Sequence, residues 1–226
     1  MDTKKYQFYC LSFNDNLKRK HMMEKFKKLN INCKFNDGVN KNDSRLQFFT
    51  NSFNKRQKSI TYSHLSIIED FVYKSDKDYA IICEDDILIN KYIVEILEKI
   101  IKDFNVLNLD ILLLGYMLPY KLERHHIFNQ YPLKIPKITN SLYTYHNYPD
   151  YLSGTQMYMI TKKHAQYILN KYNIGELIDK RYILDKLYIK EGNKALIYPM
   201  IAIEDKNQKD GYHILCHKTH YNEWFI

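Results

Sequence analysis

Short apolar runs alternate with amphipathic ones along this chain, and no other feature restricts its fold as much. "KYQFYCLSF" (5–13) reads as a first strand, "LKRKHMMEKFKKLN" (17–30) as a helix and "INCKFNDGV" (31–39) as a second strand. Leu17, Met22 or Met23, Phe26 and Leu29 fall at near-helical spacing, and Asn14 and Asp15 are candidates to cap that helix. "TYSHLSIIEDFVYKS" (61–75) is a helix with Leu65, Ile68 and Phe71 or Val72 inward, capped by Thr61 or Ser63. "DYAIICEDD" is a strand, "ILINKYIVEILEKIIKDF" (87–104) a helix and "LDILLLGY" (109–116) an apolar central strand. "SGTQMYMIT" (153–161), "KKHAQYILNKY" and "KALIYPMIAIE" (194–204) continue as strand, helix and strand. Residues 40–59 read as an irregular loop, 117–150 as a long loop or insertion, and 205–226 as a variable tail. The expectation is an α/β fold: one domain over 1–226, with a Rossmann-like, mostly parallel central sheet flanked by helices.

At 226 residues and 45% hydrophobic, the chain can bury a full core, which excludes a disordered tail or a fibrous repeat. Its net charge of +8 suits a nucleic acid, an anionic membrane surface, a phosphorylated substrate or simple solvation. Cys10, Cys33, Cys83 and Cys216 show no metal-finger spacing and read as reduced thiols, which points to the cytoplasm. The N-terminus is too polar for a signal peptide, and no apolar run reaches the roughly 20 residues of a membrane span. Peripheral membrane contact stays open.

The chemistry concentrates in "EDD" (84–86), where an apolar strand ends in three acids. A strand of a parallel sheet delivers such residues to the carboxyl edge, where open α/β sheets bind ligands. Period two puts Glu84 and Asp86 on one side and Asp85 on the other. Converging carboxylates suit Mg²⁺ or Mn²⁺ bridging to phosphate oxygens. The competing reading is an acidic turn at the positive end of the following helix.

Four blocks in order resemble glycosyltransferase family 25, the lipooligosaccharide and procollagen galactosyltransferase-like group. They are "YCLSFNDNLKRKHMMEKFKKLNINCKFNDGV" (9–39), "YSHLSIIEDF" (62–71), "YAIICEDDI" (79–87), and "DILLLGY" (110–116) with "SGTQMYMITKKHAQYIL" (153–169). One departure is Ser59-Ile60, where the family usually has Gly-Cys. The resemblance implies a GT-A fold, a UDP-sugar donor, a divalent cation (usually Mn²⁺, otherwise Mg²⁺), and transfer of galactose or glucose to a glycan, glycolipid or protein hydroxyl. On that reading Glu84 or Asp85 contacts the ribose or the water shell of the metal. Asp86 binds the metal, with Glu84 the second candidate ligand.

Further candidates follow the same blocks. Ser12 and the basic pair Lys18 and Arg19 lie after the first strand, where Arg19 could pair with phosphate. Asp37 and Gly38 end the second strand and could meet the uridine. Ser63 and His64 open a helix, whose N-terminus attracts phosphate, or else His64 is a core histidine. Gly154, Thr155 and Gln156 are plausible donor contacts. Asp185, or Asp179, is the candidate catalytic base. His213, His217 and His220 could complete the metal site or decorate the tail, and Trp224 reads as a packing anchor. Two rivals remain at this stage. One is a metal-dependent phosphotransferase or nuclease. The other is a decayed transferase fold that binds nucleic acid or anionic glycan through its basic surface.

Overall fold

The structure is a computed structural model that describes residues 5–13, 15–48, 54–117, 143–147, 153–171, 191–205 and 224–226. The first strand, β1 (Tyr6–Ser12), leads through α1 (Asn16–Lys28) to β2 (Cys33–Asp37). The Asp15 side chain accepts from the backbone N–H groups of Leu17 and Lys18 and so starts α1. A 3-10 turn (Ser44–Phe48) precedes α2 (Lys55–Lys74). Then come β3 (Tyr79–Glu84), β4 (Ile87–Ile89), α3 (Ile93–Val106) and β5 (Ile111–Met117). The remaining elements are β6 (Thr144–His146), β7 (Ser153–Thr161), α4 (Lys162–Lys171), β8 (Lys194–Tyr198) and β9 (Ala202–Glu204).

Seven strands form one sheet in the order β2-β1-β3-β7-β5-β8-β6. β2, β1, β3, β5 and β8 run one way, while β7 and β6 run the other. The α/β expectation with a mostly parallel sheet is therefore met, with an antiparallel strand set between β3 and β5. Each face carries its own core. Tyr9, Leu11, Ile82 and Tyr158 point to the face covered by α2 and α4. Phe8, Cys10, Ile81 and Cys83 point to the face covered by α1 and α3. This two-sided burial is why β3 and β5 read as unbroken apolar runs.

Several local readings need correction. α2 begins at Lys55, two turns before Thr61, because Asn54 and Gln57 form a reciprocal capping box. Ser63 and His64 thus sit inside the helix, and much of the supposed loop 40–59 is ordered. α3 begins at Ile93, because Ile87–Ile89 pairs with β9 in a small second sheet. The run 194–204 is two strands in two sheets, with a cis peptide bond at Tyr198-Pro199 between them. Leu17 and Met23 are exposed, and Met22, Phe26 and Leu29 carry the buried face of α1. Trp224 is half exposed rather than a packing anchor. Its neighbours Phe225 and Ile226 pair with Asn90 and Ile89 on the free side of β4.

β6 is tied to α3 by a buried contact, the Tyr145 hydroxyl donating to Asp103 at 2.7 Å. Tyr145→Phe removes a donor from a buried carboxylate. The expected loss is about 1–2 kcal/mol, read as a fall in Tm of about 2–8 °C for a chain of this size.

Candidate active site

β1, β2 and β3 end side by side, with Ser12 beside Asp37 and Leu11 beside Glu84. The strand order reverses at β1: the chain runs outward to β2, then crosses back to β3. α1 and α2 leave on opposite faces, so a crevice opens outside these carboxyl ends. A cavity of about 460 Å³ lies there. Its lining comes from the segments after β1 (Phe13, Asp15, Lys18), after β2 (Gly38 to Lys41), the first turns of α2 (Arg56, Ser59, Ile60) and the end of β3 (Glu84, Asp85, Asp86). Among the described residues, all of it falls between residues 13 and 86.

The three acids do not alternate as period two requires, because the strand ends at Glu84 and the chain bends at Asp85 and Asp86. Glu84 faces α2 and β7. Thr155 Oγ1 donates to Glu84 Oε1 at 2.9 Å, and His64 Nε2 stands 3.9 Å from the same oxygen. Asp86 meets Lys18 from α1, with Nζ to Oδ2 at 3.4 Å. Asp85 is only 8% exposed, and its Oδ2 has no hydrogen-bond partner among the described residues. Burial pushes the Asp85 pKa up, and the charge of Asp86 adds to this. The neighbouring Ser12 hydroxyl, Lys18 and the Phe13 backbone pull the other way. The Ser12 Oγ lies beside the carboxyl without closing a hydrogen bond of ordinary geometry.

The same cavity also carries cations. Lys41 and Arg56 line the cavity, and neither has an ion-pair partner among the described residues. Sequence reading missed both, because they lie in the segment taken for an irregular loop. It also missed Phe13, an exposed aromatic ring laid against Gly38. A Cβ on Gly38 would sit 2.3 Å from that ring, so the close approach requires glycine.

The loop carrying Gly38 is held from α2. The Ser59 hydroxyl donates to the Val39 carbonyl, and the Val39 N–H donates to Ser63 Oγ at 2.8 Å. Ser63 therefore positions the cavity wall and is not at a helix N-terminus. His64 is fully buried and lies outside the lining, so it does not reach a ligand directly. Arg19 and Asp37 are joined in an exposed ion pair, with the guanidinium 5.2 Å from the Phe35 ring centroid. That pair also lies outside the lining, and Lys18 takes the place expected for Arg19. Gly154 (φ +105°), Thr155 and Gln156 open β7 next to the end of β3, so the Gly-Thr block does meet the acids, through Thr155. Gln156 Oε1 is buried without a partner among the described residues. Asp179, Asp185, His213, His217 and His220 lie outside the described residues.

The model of glycosyltransferase family 25 (LPS biosynthesis protein) matches residues 6–181. The chain belongs to glycosyltransferase family 25. Its α/β sheet is of the GT-A type, and its reaction class is glycosyl transfer. Similar solved structures include a glycosyltransferase involved in glycosylation of the major capsid of PBCV-1, at 10% identity over 84% of this chain and 80% of that one, TM-score 0.42. An active-site mutant of LgtC is similar at 12% identity over 97% and 86%, TM-score 0.44. No curated protein matches significantly. No helix among the described residues is long and apolar enough to cross a membrane.

Asp85 has a raised pKa in the folded state, which makes stability depend on pH. Its folded pKa lies above the unfolded value, so the folded state binds the proton more tightly. Stability is then lost as pH rises through the window from the ordinary carboxylate range upward. Asp85→Asn is expected to raise Tm at pH 7, with the gain disappearing in acid below that range. Thermal unfolding followed across pH measures it.

Proposed function

We propose that this cavity holds the donor of a metal-dependent hexosyltransferase, a UDP-sugar carrying galactose or glucose, within a single glycosyltransferase domain. The observation that carries the reading is one cavity lined both by Glu84, Asp85 and Asp86 and by Lys41 and Arg56, which have no ion-pair partner among the described residues. Such a combination suits a diphosphate bridged to a cation.

Among the described residues no group of three or more His, Cys, Asp or Glu side chains could hold a metal ion alone. The residues present nevertheless fit one whose remaining ligands are phosphate oxygens and water. Asp85 is a buried carboxylate with an unsatisfied oxygen beside the like charge of Asp86, and a divalent cation relieves both. Asp86 with Asp85 would hold it. Glu84, turned toward Thr155, is assigned to the ribose hydroxyls instead. When bound, the cation offsets negative charge on the departing diphosphate.

This chain's own residues do the rest. Lys41 and Arg56 would bind the donor phosphates, and Lys18, 3.4 Å from Asp86, lines the same cavity. Phe13 and Ile60 form the apolar part of the cavity and exclude water from the nucleotide. An Asp, Asp185 or else Asp179 by the family resemblance, takes the proton from the acceptor hydroxyl as its oxygen bonds to the anomeric carbon. The bond from that carbon to the diphosphate breaks, and UDP leaves with the electron pair. The acceptor is a hydroxyl on a glycan, a glycolipid or a protein. The concave, acid-walled site favours this over nucleic-acid binding, where a broad basic face is needed.

The decisive experiment is UDP release from a panel of UDP-sugars with Mn²⁺ and with chelator. One sugar should be hydrolysed, with activity lost on chelation and reduced on the order of a hundredfold in Asp86→Ala. Arg56→Ala should raise the donor KM about tenfold with a smaller effect on kcat. If no UDP-sugar is turned over and calorimetry detects no Mn²⁺-dependent UDP binding, the reading is wrong.

A further inference from the structure

The segment after β2 leaves the sheet at Gly38, whose N–H still completes the ladder by donating to the Ser12 carbonyl at 2.7 Å. At the next residue α2 takes it over, because both backbone groups of Val39 end on serines of that helix. The Ser59 hydroxyl donates to the Val39 carbonyl, and Ser63 Oγ accepts the Val39 N–H at 2.8 Å. The polarity of each bond is fixed. The Ser63 proton is committed to the Ser59 carbonyl at 2.7 Å, so its oxygen is left to accept. Ser59 and Ser63 stand four positions apart on the stripe of α2 that also carries Arg56, one turn earlier. The clamp is dry: Ser63 is fully buried, Ser59 is 4% exposed and Val39 7%. Lys41 follows in a turn closed by the Asp43 N–H on the Asn40 carbonyl and by the Asn42 N–H on Asn40 Oδ1, both at 2.9 Å. Lys55 Nζ, in the first turn of α2, reaches Asn42 Oδ1 at 3.4 Å. The turn is therefore tied to α2 on both sides of Lys41.

We infer that Ser59 and Ser63 are positioning residues: they lock the turn that carries Lys41 onto the helix that carries Arg56, so that the two cations reach the cavity as one preformed anion-binding unit. Both cations line the cavity, and neither is held by an ion pair among the described residues. Their placement therefore comes from the backbone that bears them. An anion that had to order the turn on arrival would lose part of its binding free energy to that ordering. With both backbone groups of Val39 already held, that cost is met in folding. Loss of either hydroxyl leaves a buried backbone group of Val39 unsatisfied and frees the turn. That the anion is the diphosphate of a nucleotide sugar rests on the function proposed above; the coupling of turn to helix does not.

Hydrogen exchange of the Val39 amide tests the clamp, and a double-mutant cycle read by calorimetry with UDP and Mn²⁺ tests its use. The Val39 N–H should be protected in the wild type and exchange about tenfold faster in Ser63→Ala. UDP affinity should fall about tenfold in Ser63→Ala and in Ser59→Ala. In a Lys41→Ala background the same Ser63→Ala change should cost less than about twofold, because the hydroxyl acts through the lysine. Ser66→Ala removes a hydroxyl bonded to the Ser63 carbonyl at 2.8 Å and no contact with the turn, so it should stay within about twofold of wild type. The inference is overturned by a Val39 amide that is unprotected or indifferent to Ser63→Ala. It is equally overturned by equal losses in Ser63→Ala and Ser66→Ala, or by a Ser63→Ala loss that is the same with and without Lys41. Should Ser63→Ala not fold, Ser59→Ala runs the same cycle. If the wild type binds no UDP, the nucleotide reading falls and the cycle with inorganic pyrophosphate decides the inference, which fails if neither anion binds.

Discussion

Everything at the site depends on the reversal of strand order at β1. Because β2 and β3 flank β1 on opposite sides, α1 and α2 are sent to opposite faces, and their connecting segments cannot close over the strand ends. The gap is filled by whatever the segments after β1, β2 and β3 carry. Here they carry both acids and cations. Without the reversal, Lys41 and Arg56 would not share a cavity with Asp85 and Asp86.

The antiparallel strand β7 adds a second constraint. It runs against β3, so its beginning lies where β3 ends, and Thr155 reaches Glu84 although 71 positions separate them. β7 also brings Tyr158 to His64 two pleats further in. One strand thus holds the acid through Thr155 and packs the buried histidine behind it. Placing the Thr155 contact on a strand, and not on a loop, gives it a fixed base.

Much of the architecture was legible in the residues. The extents of β7 and α4 followed from apolar alternation and helical spacing, and the acid cluster marked the sheet edge. What stayed hidden has identifiable causes. The start of α2 is polar, and its signal is a capping box at Asn54 and Gln57 that precedes any apolar periodicity. Ile87–Ile89 is apolar enough to join a helix, and only its distant partner β9 makes it a strand. At the site, Glu84, Asp85 and Asp86 were found, but their division between two faces was not, since period two fails where a strand ends. Lys41 and Arg56 looked like ordinary surface charge. Arg19 looked like the phosphate ligand, but Asp37 at the end of β2 takes it. These outcomes depend on contacts between segments, which spacing along the chain does not encode.

Among the described residues, the lining of the cavity is drawn from 13–86, a stretch built on three adjacent parallel strands. A gene segment of under ninety codons therefore supplies every lining residue among those described, and Thr155 of β7 joins it from behind through Glu84. A substitution inside that segment would change the cavity directly, while one at Thr155 would act only through the Glu84 carboxylate.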